Sequence, residues 1–385
     1  MIYLDNLATT PCDPKVVQAM LPYLNSYFGN PASLHSLGKA SADAIEKAQN
    51  QTAELIGGDA KELVFTSGAT ESNNLAILGA ARSYARTGGT RRRIVTTHLE
   101  HKSVLGPIEK LKTEGWDVSF LPLLPDKSGL IDIEVASELI DEETFMVSVQ
   151  LANSEIGTIQ PISRLARIAH ANSAIVHCDA SQAVGKIPVD VTELDIELLA
   201  FSSHKMYGPK GVGVLWVSES LGVSYLEPLM YGGKSGNTIR PGTIPVHQIV
   251  GAGVACEITL NRLLEDARHT QTLRDDFERI LLSSIPSLCI NGMVGNRLPN
   301  NSSITFLGLD ADLLLANTSD VMASTSSACE AGSLLPSRVL KAINLSDDDA
   351  YSTIRFGFGR YNESQEVWDA ATLLANSAIH LQTNY

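Results

Sequence analysis

Short apolar runs alternate with stretches of helical spacing over the middle of the chain. Runs at residues 62–66, 94–97, 118–122, 145–150, 175–178 and 198–202 read as buried strands that alternate with segments of helical period. Strands that alternate with helices predict an α/β fold, a mostly parallel sheet covered by helices on its faces. Before it, a lead-in ends at Thr10-Pro11-Cys12-Asp13-Pro14, and helical periods cover residues 15–27 and 39–57. After it, a long helical stretch at residues 252–282 leads to a further strand at 302–306, and residues 367–381 read as a terminal helix. The expected division is a large domain of residues 13–255 and a smaller one built from residues 1–12 and 256–385.

At 385 residues the chain is too long for one compact core, in keeping with that division. A formal charge of −14 argues against direct binding to nucleic acid or to an anionic membrane. The dense basic run Arg91-Arg92-Arg93 follows Thr87-Gly88-Gly89-Thr90 and reads as a solvated loop. No stretch reaches the roughly 20 apolar residues that span a bilayer, and the first residues lack the basic and apolar regions of a secretion signal. Five cysteines without a disulfide framework suit a reducing cytoplasm, the expected location. No Cys/His ligand spacing is present, so no metal site is expected.

Candidate chemistry lies where strands end. Ala200-Phe201-Ser202-Ser203-His204-Lys205 runs from an apolar strand into polar residues and then a glycine-rich turn. A lysine held there suits a Schiff base with an aldehyde cofactor, because burial or a neighbouring cation eases loss of its proton. Lysines are ordinarily surface residues, and the segment alone does not decide the matter. Asp179 follows the strand 175–178, at the sheet edge where ligands of open α/β folds bind. A carboxylate there can hold a pyridine nitrogen protonated; equally it caps a following helix. Ser67-Gly68-Ala69-Thr70 lies between a strand and a helical run, so its backbone N–H groups can hold a phosphate. An ordinary helix cap by Ser67 or Thr70 is the competing reading.

Taken together, the motifs carry a resemblance over nearly the whole chain. They are Tyr3-Leu4-Asp5-Asn6 with Ala8-Thr9-Thr10, Phe28-Gly29-Asn30-Pro31-Ala32-Ser33-Leu34-His35, Phe65-Thr66-Ser67-Gly68-Ala69-Thr70-Glu71 and Leu99-Glu100-His101. Asn153-Ser154-Glu155-Ile156-Gly157-Thr158, Asp179 with Gln182, His204-Lys205, Arg240-Pro241-Gly242-Thr243, Ser327-Ala328-Cys329 and Arg355-Phe356-Gly357-Phe358-Gly359-Arg360 follow in order. This series resembles the cysteine desulfurases, class-V aminotransferase relatives that carry pyridoxal 5′-phosphate on fold type I. The resemblance implies a seven-stranded type of sheet in the large domain and a smaller C-terminal α/β domain. It implies that Lys205 carries the cofactor and moves protons, that His101 stacks on the ring and acts as acid or base, and that Asp179 and Gln182 tune the ring. Ala69, Thr70, Ser202 and His204 would hold the cofactor, chiefly its phosphate, with Thr243 reaching in from a second subunit. The implied assembly is a homodimer with shared active sites. Arg355 resembles the anchor for the substrate carboxylate, a role suited to a guanidinium fork; a strand-end ion pair is its structural alternative.

Cys329 separates a desulfurase from a plain aminotransferase. It sits in a run of small and polar residues, 323–333, which reads as a mobile loop in the small domain. The resemblance implies that its thiolate takes sulfur from L-cysteine as a persulfide, leaving L-alanine, and passes it to an acceptor protein such as those of iron–sulfur cluster assembly. Cys12, Cys178, Cys256 and Cys289 read as structural. Three positions depart from the family pattern. Leu7 stands where a small polar residue is usual, Ser154 replaces a second Asn, which leaves Asn153 or a water to make the contact, and residues 232–238 differ from the usual glycine-rich stretch. The resemblance still implies that Ser154 meets the cofactor and that Asn153, with Arg355, meets the substrate. A selenocysteine lyase, an aminotransferase or a non-catalytic sulfur-transfer subunit are the alternative readings.

Overall fold

A computed structural model describes residues 1–233, 239–292, 295–325 and 335–384. The strands, in chain order, are β1 (Ile2–Tyr3), β2 (Leu63–Thr66), β3 (Arg93–Thr96), β4 (Asp117–Phe120), β5 (Thr144–Ser148), β6 (Ile175–Asp179) and β7 (Leu198–Ser202). They continue as β8 (Gly213–Val217), β9 (Leu288–Ile290), β10 (Asn301–Phe306), β11 (Val321–Met322), β12 (Ser324–Thr325) and β13 (Thr353–Gly357). Seven of them form one sheet in the order β2-β8-β7-β6-β5-β3-β4. The β3–β4, β3–β5, β5–β6 and β6–β7 pairs are parallel, whereas β8 runs antiparallel to both β2 and β7. The expected strands are all present, with ends that differ by a few residues.

Helices close both faces because the inner strands are buried on both sides. Every residue of β5, β7 and β8 is buried, which is the pattern of strands covered above and below. One core gathers Val95, Val147, Val176, Leu199 and Phe201 beneath the helix Ile162–Ala171; another packs Ile94, Met146, Leu198 and Leu215 under the helices Ala69–Arg86 and Lys102–Thr113. A separate core unites Ile2 and Leu4 with Phe277, Phe306, Phe356 and the terminal helix Ser364–Asn384. That core covers a second sheet, β12-β13-β10-β9, which is antiparallel throughout.

Linking the two regions is one helix, Val246–Ser284. Its start precedes the expected position 252 because Val246, Ile249 and Val250 are buried with Ile45 and Ala48 of the helix Ser36–Ile56. Gly253 permits the approach: a Cβ there would lie 2.6 Å from the Ala48 Cα. Near the N-terminus the expected helix 15–27 is divided into Pro14–Met20 and Pro22–Asn25, since Pro22 interrupts the run. No helix of the described residues is long and apolar enough to cross a membrane.

Candidate active site

The carboxyl ends of the parallel strands open onto one cavity of about 590 Å³, a size that suits a cofactor with its substrate. Residues just beyond β2, β3, β5, β6 and β7 line it: Thr70, His101, Ser154, Ser181 and Lys205. Lys205 closes the 3-10 turn Ser203–Lys205 that follows β7, and Asp179 ends β6 beside it in register with Ala200. The placement is the strand-end crevice of open α/β sheets.

The Lys205 amine donates to two main-chain carbonyls, Leu7 O at 2.7 Å and Ala8 O at 2.8 Å. The Gln182 amide donates to the same Leu7 carbonyl at 3.0 Å. Leu7, the departure from the family pattern, therefore contributes through its backbone, while its side chain is fully buried. His204 hydrogen-bonds Thr9 Oγ1 at 3.0 Å through Nδ1. Burial first, then the cations of Lys205, Lys210 and Lys186, pushes His204 down to about 4, so it is neutral at pH 7.

Asp179 is held from two sides. Its Oδ1 accepts from the Ser181 N–H at 2.9 Å and from Ser181 Oγ at 2.6 Å, and its Oδ2 accepts from the Asn73 amide at 2.8 Å. A carboxylate only accepts, so the Asn73 NH2 must face it and the Asn73 oxygen must face His177 Nε2, 3.1 Å away. The same NH2 reaches Ser103 Oγ at 2.9 Å, and Ser103 Oγ lies 2.8 Å from His101 Nδ1. Asn73 is thus a fork between the carboxylate and the imidazole. His101 is also the N-cap of the helix Lys102–Thr113, its Nδ1 accepting the Ser103 N–H at 3.1 Å. The cap reading and the catalytic reading are satisfied by one side chain. Because Nδ1 accepts, the neutral ring carries its proton on Nε2. Burial holds His101 below its ordinary value against the pull of Asp179, with Lys205, Arg338 and Lys102 adding to the lowering.

Ser67, Gly68, Ala69 and Thr70 also line the cavity, where the helix Ala69–Arg86 begins. The first N–H groups of a helix have no intrahelical acceptor, and the dipole favours an anion beside them. The turn is shaped by β8: a Cβ on Gly213 would come within 2.3 Å of the Gly68 carbonyl carbon, whereas one on Gly68 would meet nothing within 4 Å. Ser202, His204 and Lys210 line the cavity as well. Glu71 accepts from the Ser67 N–H at 2.6 Å and pairs with Arg240 at 3.0 Å, which pins the loop 239–243 to the turn.

Arg355 enters from β13 of the second sheet. Its Nη2 pairs with Asp5 at 3.0 Å and its Nη1 donates to Ser154 O at 3.4 Å, so the strand-end ion pair and the cavity position coexist. In register with Arg355 is Ser324 of β12, the strand that precedes residues 326–334. Cys329 lies outside the described residues. Beyond that segment, Ser337 donates to Glu155 at 2.5 Å, and Arg338 donates to the carbonyls of His98 and Glu100.

Two expected residues do not line this chain's cavity. Asn153 is fully buried behind it: its Oδ1 accepts from the N–H groups of Glu155 and Ile156, and its Nδ2 donates to Leu99 O. It shapes the turn that presents Ser154 instead of meeting a substrate. Thr243 is exposed and outside the lining residues. Sequence reasoning missed Asn73, Ser181 and Gln150. Asn73 sits one turn into the helix after Thr70, on the face that turns toward β6, and that spacing was the available signal. No group of three or more His, Cys, Asp or Glu residues that could hold a metal occurs among the described residues.

A lysine, a buttressed carboxylate and a helix N-terminus at the edge of such a sheet define an aldehyde-cofactor fold of the aminotransferase kind. The aminotransferase class-V family model matches residues 2–369, and the chain belongs to that family. Within it, the chain is similar to cysteine desulfurase IscS of Rickettsia typhi, 42% identical over 382 residues, which is 99% of this chain and 92% of the relative. Among solved structures it is similar to a NifS-like protein, with TM-score 0.90 and 33% identity over 99% of each chain. It also resembles SspA in complex with cysteine, with TM-score 0.81 and 34% identity, covering 94% of this chain and 100% of that one.

Proposed function

We propose that this chain is a pyridoxal 5′-phosphate-dependent cysteine desulfurase that converts L-cysteine to L-alanine and carries the sulfur on Cys329. The observation that carries the reading is the convergence of Lys205, the Asn73-supported Asp179, His101 and Arg355 on one cavity that a helix N-terminus also lines. These residues fit the cofactor: the helix N-terminus at Ala69–Thr70 suits its phosphate, and the doubly held carboxylate suits its ring nitrogen. When bound, the cofactor supplies an electron sink for charge that develops at the substrate carbon. Lys205 would attach it and move the proton at the substrate Cα. Asp179 would hold the proton on the ring nitrogen, and His101, neutral and with Nε2 protonated, would face the ring as the donor. Arg355 would bind the substrate carboxylate, a pairing stronger than a neutral hydrogen bond. The thiolate of Cys329 would take the sulfur, an S–S bond forming as the substrate Cβ–S bond breaks.

A homodimer completes the proposal. Leu21, Leu24, Tyr27, Phe28 and Leu34 are exposed apolar residues close together in the chain, and Thr243 is exposed near the pinned Arg240. Both features support an interface in which Thr243 of one subunit meets the phosphate end of the other.

Purified protein given L-cysteine should release alanine and, with a reductant, sulfide in equal amounts. Borohydride reduction of the holoprotein should add the cofactor mass to the peptide containing Lys205, and Lys205→Ala should lose both activity and label. A label on Lys186 or Lys210, or sulfur release from Lys205→Ala, would show the assignment to be wrong.

A further inference from the structure

We propose that Lys186 and Arg360 are positioning residues for Lys205, holding the turn that carries it from the side away from the cavity. The proposal rests on the reading of Lys205 given above. Each carbonyl of the turn Ser203–Lys205 has its own claimant. Ser203 O accepts from the N–H groups of Met206 and Gly208, and His204 O accepts from the N–H and the hydroxyl of Thr10. Lys205 O accepts from the Lys186 amine at 2.5 Å. Lys186 does not line the cavity, and it is 8% exposed. Burying an ammonium is costly unless it is well partnered. Burial, reinforced by Arg360 and Lys205 and opposed by Asp266, pushes it down to about 7. A lysine in such a place, with the main-chain carbonyl of Lys205 as its hydrogen-bond acceptor, makes a contact that leucine or methionine could not make.

Arg360 completes the support. Its guanidinium lies 4.3 Å from the Tyr207 ring centroid, with Lys186 Nζ 5.6 Å from the same centroid. Tyr207 follows Met206 in the left-handed region, φ 65°, a conformation unfavourable for a bulky residue. Its hydroxyl accepts the Arg360 N–H at 2.5 Å, and its carbonyl accepts the Asp13 N–H at 2.9 Å. Arg360 in turn pairs with Asp266 at 2.7 Å and Asp13 at 3.2 Å. Arg360 lies five residues beyond Arg355 on the same chain segment. The distance between the amine end and the carboxylate end of the site is therefore set through Arg360, Tyr207 and Lys186.

The test compares wild-type holoenzyme with Lys186→Met and Arg360→Lys. In apoprotein, the rate at which a small acylating reagent labels Lys205 reads the placement of its amine without cofactor or turnover. Lys186→Met should fold, change that rate severalfold and lower kcat by about tenfold, the scale of a small misplacement of a reacting group. Arg360→Lys keeps the charge and loses the fork, and should raise the cysteine KM more than it lowers kcat. Lys186→Met with labelling rate and kcat within twofold of wild type overturns the proposal. If Lys186→Met does not fold, Tyr207→Phe, which removes only the hydroxyl that accepts from Arg360, is held to the same criterion. Borohydride labelling of wild type at another lysine would overturn the cofactor reading itself, a result distinct from either.

Discussion

Replacing Glu100 by Gln should remove a pH dependence of stability that arises at one buried position. Glu100 is 1% exposed, and its Oε1 accepts from Thr97 Oγ1 at 2.9 Å and from the Gln150 N–H at 3.0 Å. Its Oε2 meets no hydrogen-bond partner among the described residues. Burial, with Asp179 adding and the Gln150 and Thr97 hydrogen bonds and Arg338 opposing, raises its pKa from 4.5 to about 8. The folded state therefore keeps a proton that the unfolded chain gives up between pH 4.5 and 8. With a raised folded pKa, the contribution is fully present below the unfolded value and is lost as pH climbs through the folded one. The loss is ~1.4 kcal/mol per pH unit, or roughly 4 kcal/mol from pH 5 to pH 8. Glutamine keeps the acceptor for Thr97 and Gln150 but leaves a buried NH2 to satisfy, a pH-independent cost of about 1–3 kcal/mol. Glu100→Gln should thus be less stable than wild type at pH 5 and more stable at pH 8. Urea unfolding of the apoprotein at several pH values measures it, following the buried Trp116 and Trp216 of the large sheet region. Parallel stability curves for the two proteins would refute the argument, since Glu100 would then be ionised in the fold.

Other positions give sharper functional readouts. Gly213→Ala should push the Gly68 turn outward and weaken cofactor retention by tenfold or more, with the fold preserved, because its Cβ would meet the Gly68 backbone at 2.3 Å; equilibrium dialysis against the free cofactor measures it. Asn73→Ala should release Asp179 and Ser103 together, so the absorbance of the bound cofactor should change in its pH titration, and an unchanged titration would remove Asn73 from the site. Cys329→Ser should keep cofactor and bind cysteine but accumulate no persulfide by mass spectrometry; full alanine production by that variant would point to another sulfur carrier.

The strands were legible because buried apolar runs are short and end in polar residues, and strand ends in an α/β sheet converge. Lys205 and Asp179 could be placed together on that ground alone. The antiparallel direction of β8 was not readable, since a buried strand has the same composition whichever way it runs. Asn153 and Asn73 show the limit for polar residues. Both are fully buried amides, yet one serves a backbone turn and the other links two functional side chains. The difference lies in which elements pack against them, which no local pattern encodes. Leu7 is harder still, because the groups that meet Lys205 and Gln182 are carbonyls that every residue type carries.

The carbonyls that receive Lys205 are synthesised long before the strands that scaffold their segment. β1 pairs with Val321 and Met322, Asp5 with Arg355, and the Asn6 amide with the carbonyl of Gly357, 351 positions away. During translation the segment of residues 2–8 consequently waits, without its partners, until residues 321–357 have left the ribosome. Cofactor capture becomes a late checkpoint on synthesis: a nascent chain stalled before residue 321 should acquire none, however long it is held. Extension past residue 357 should restore uptake, and cofactor bound to stalled chains would show that the seven-stranded sheet region forms its site unaided.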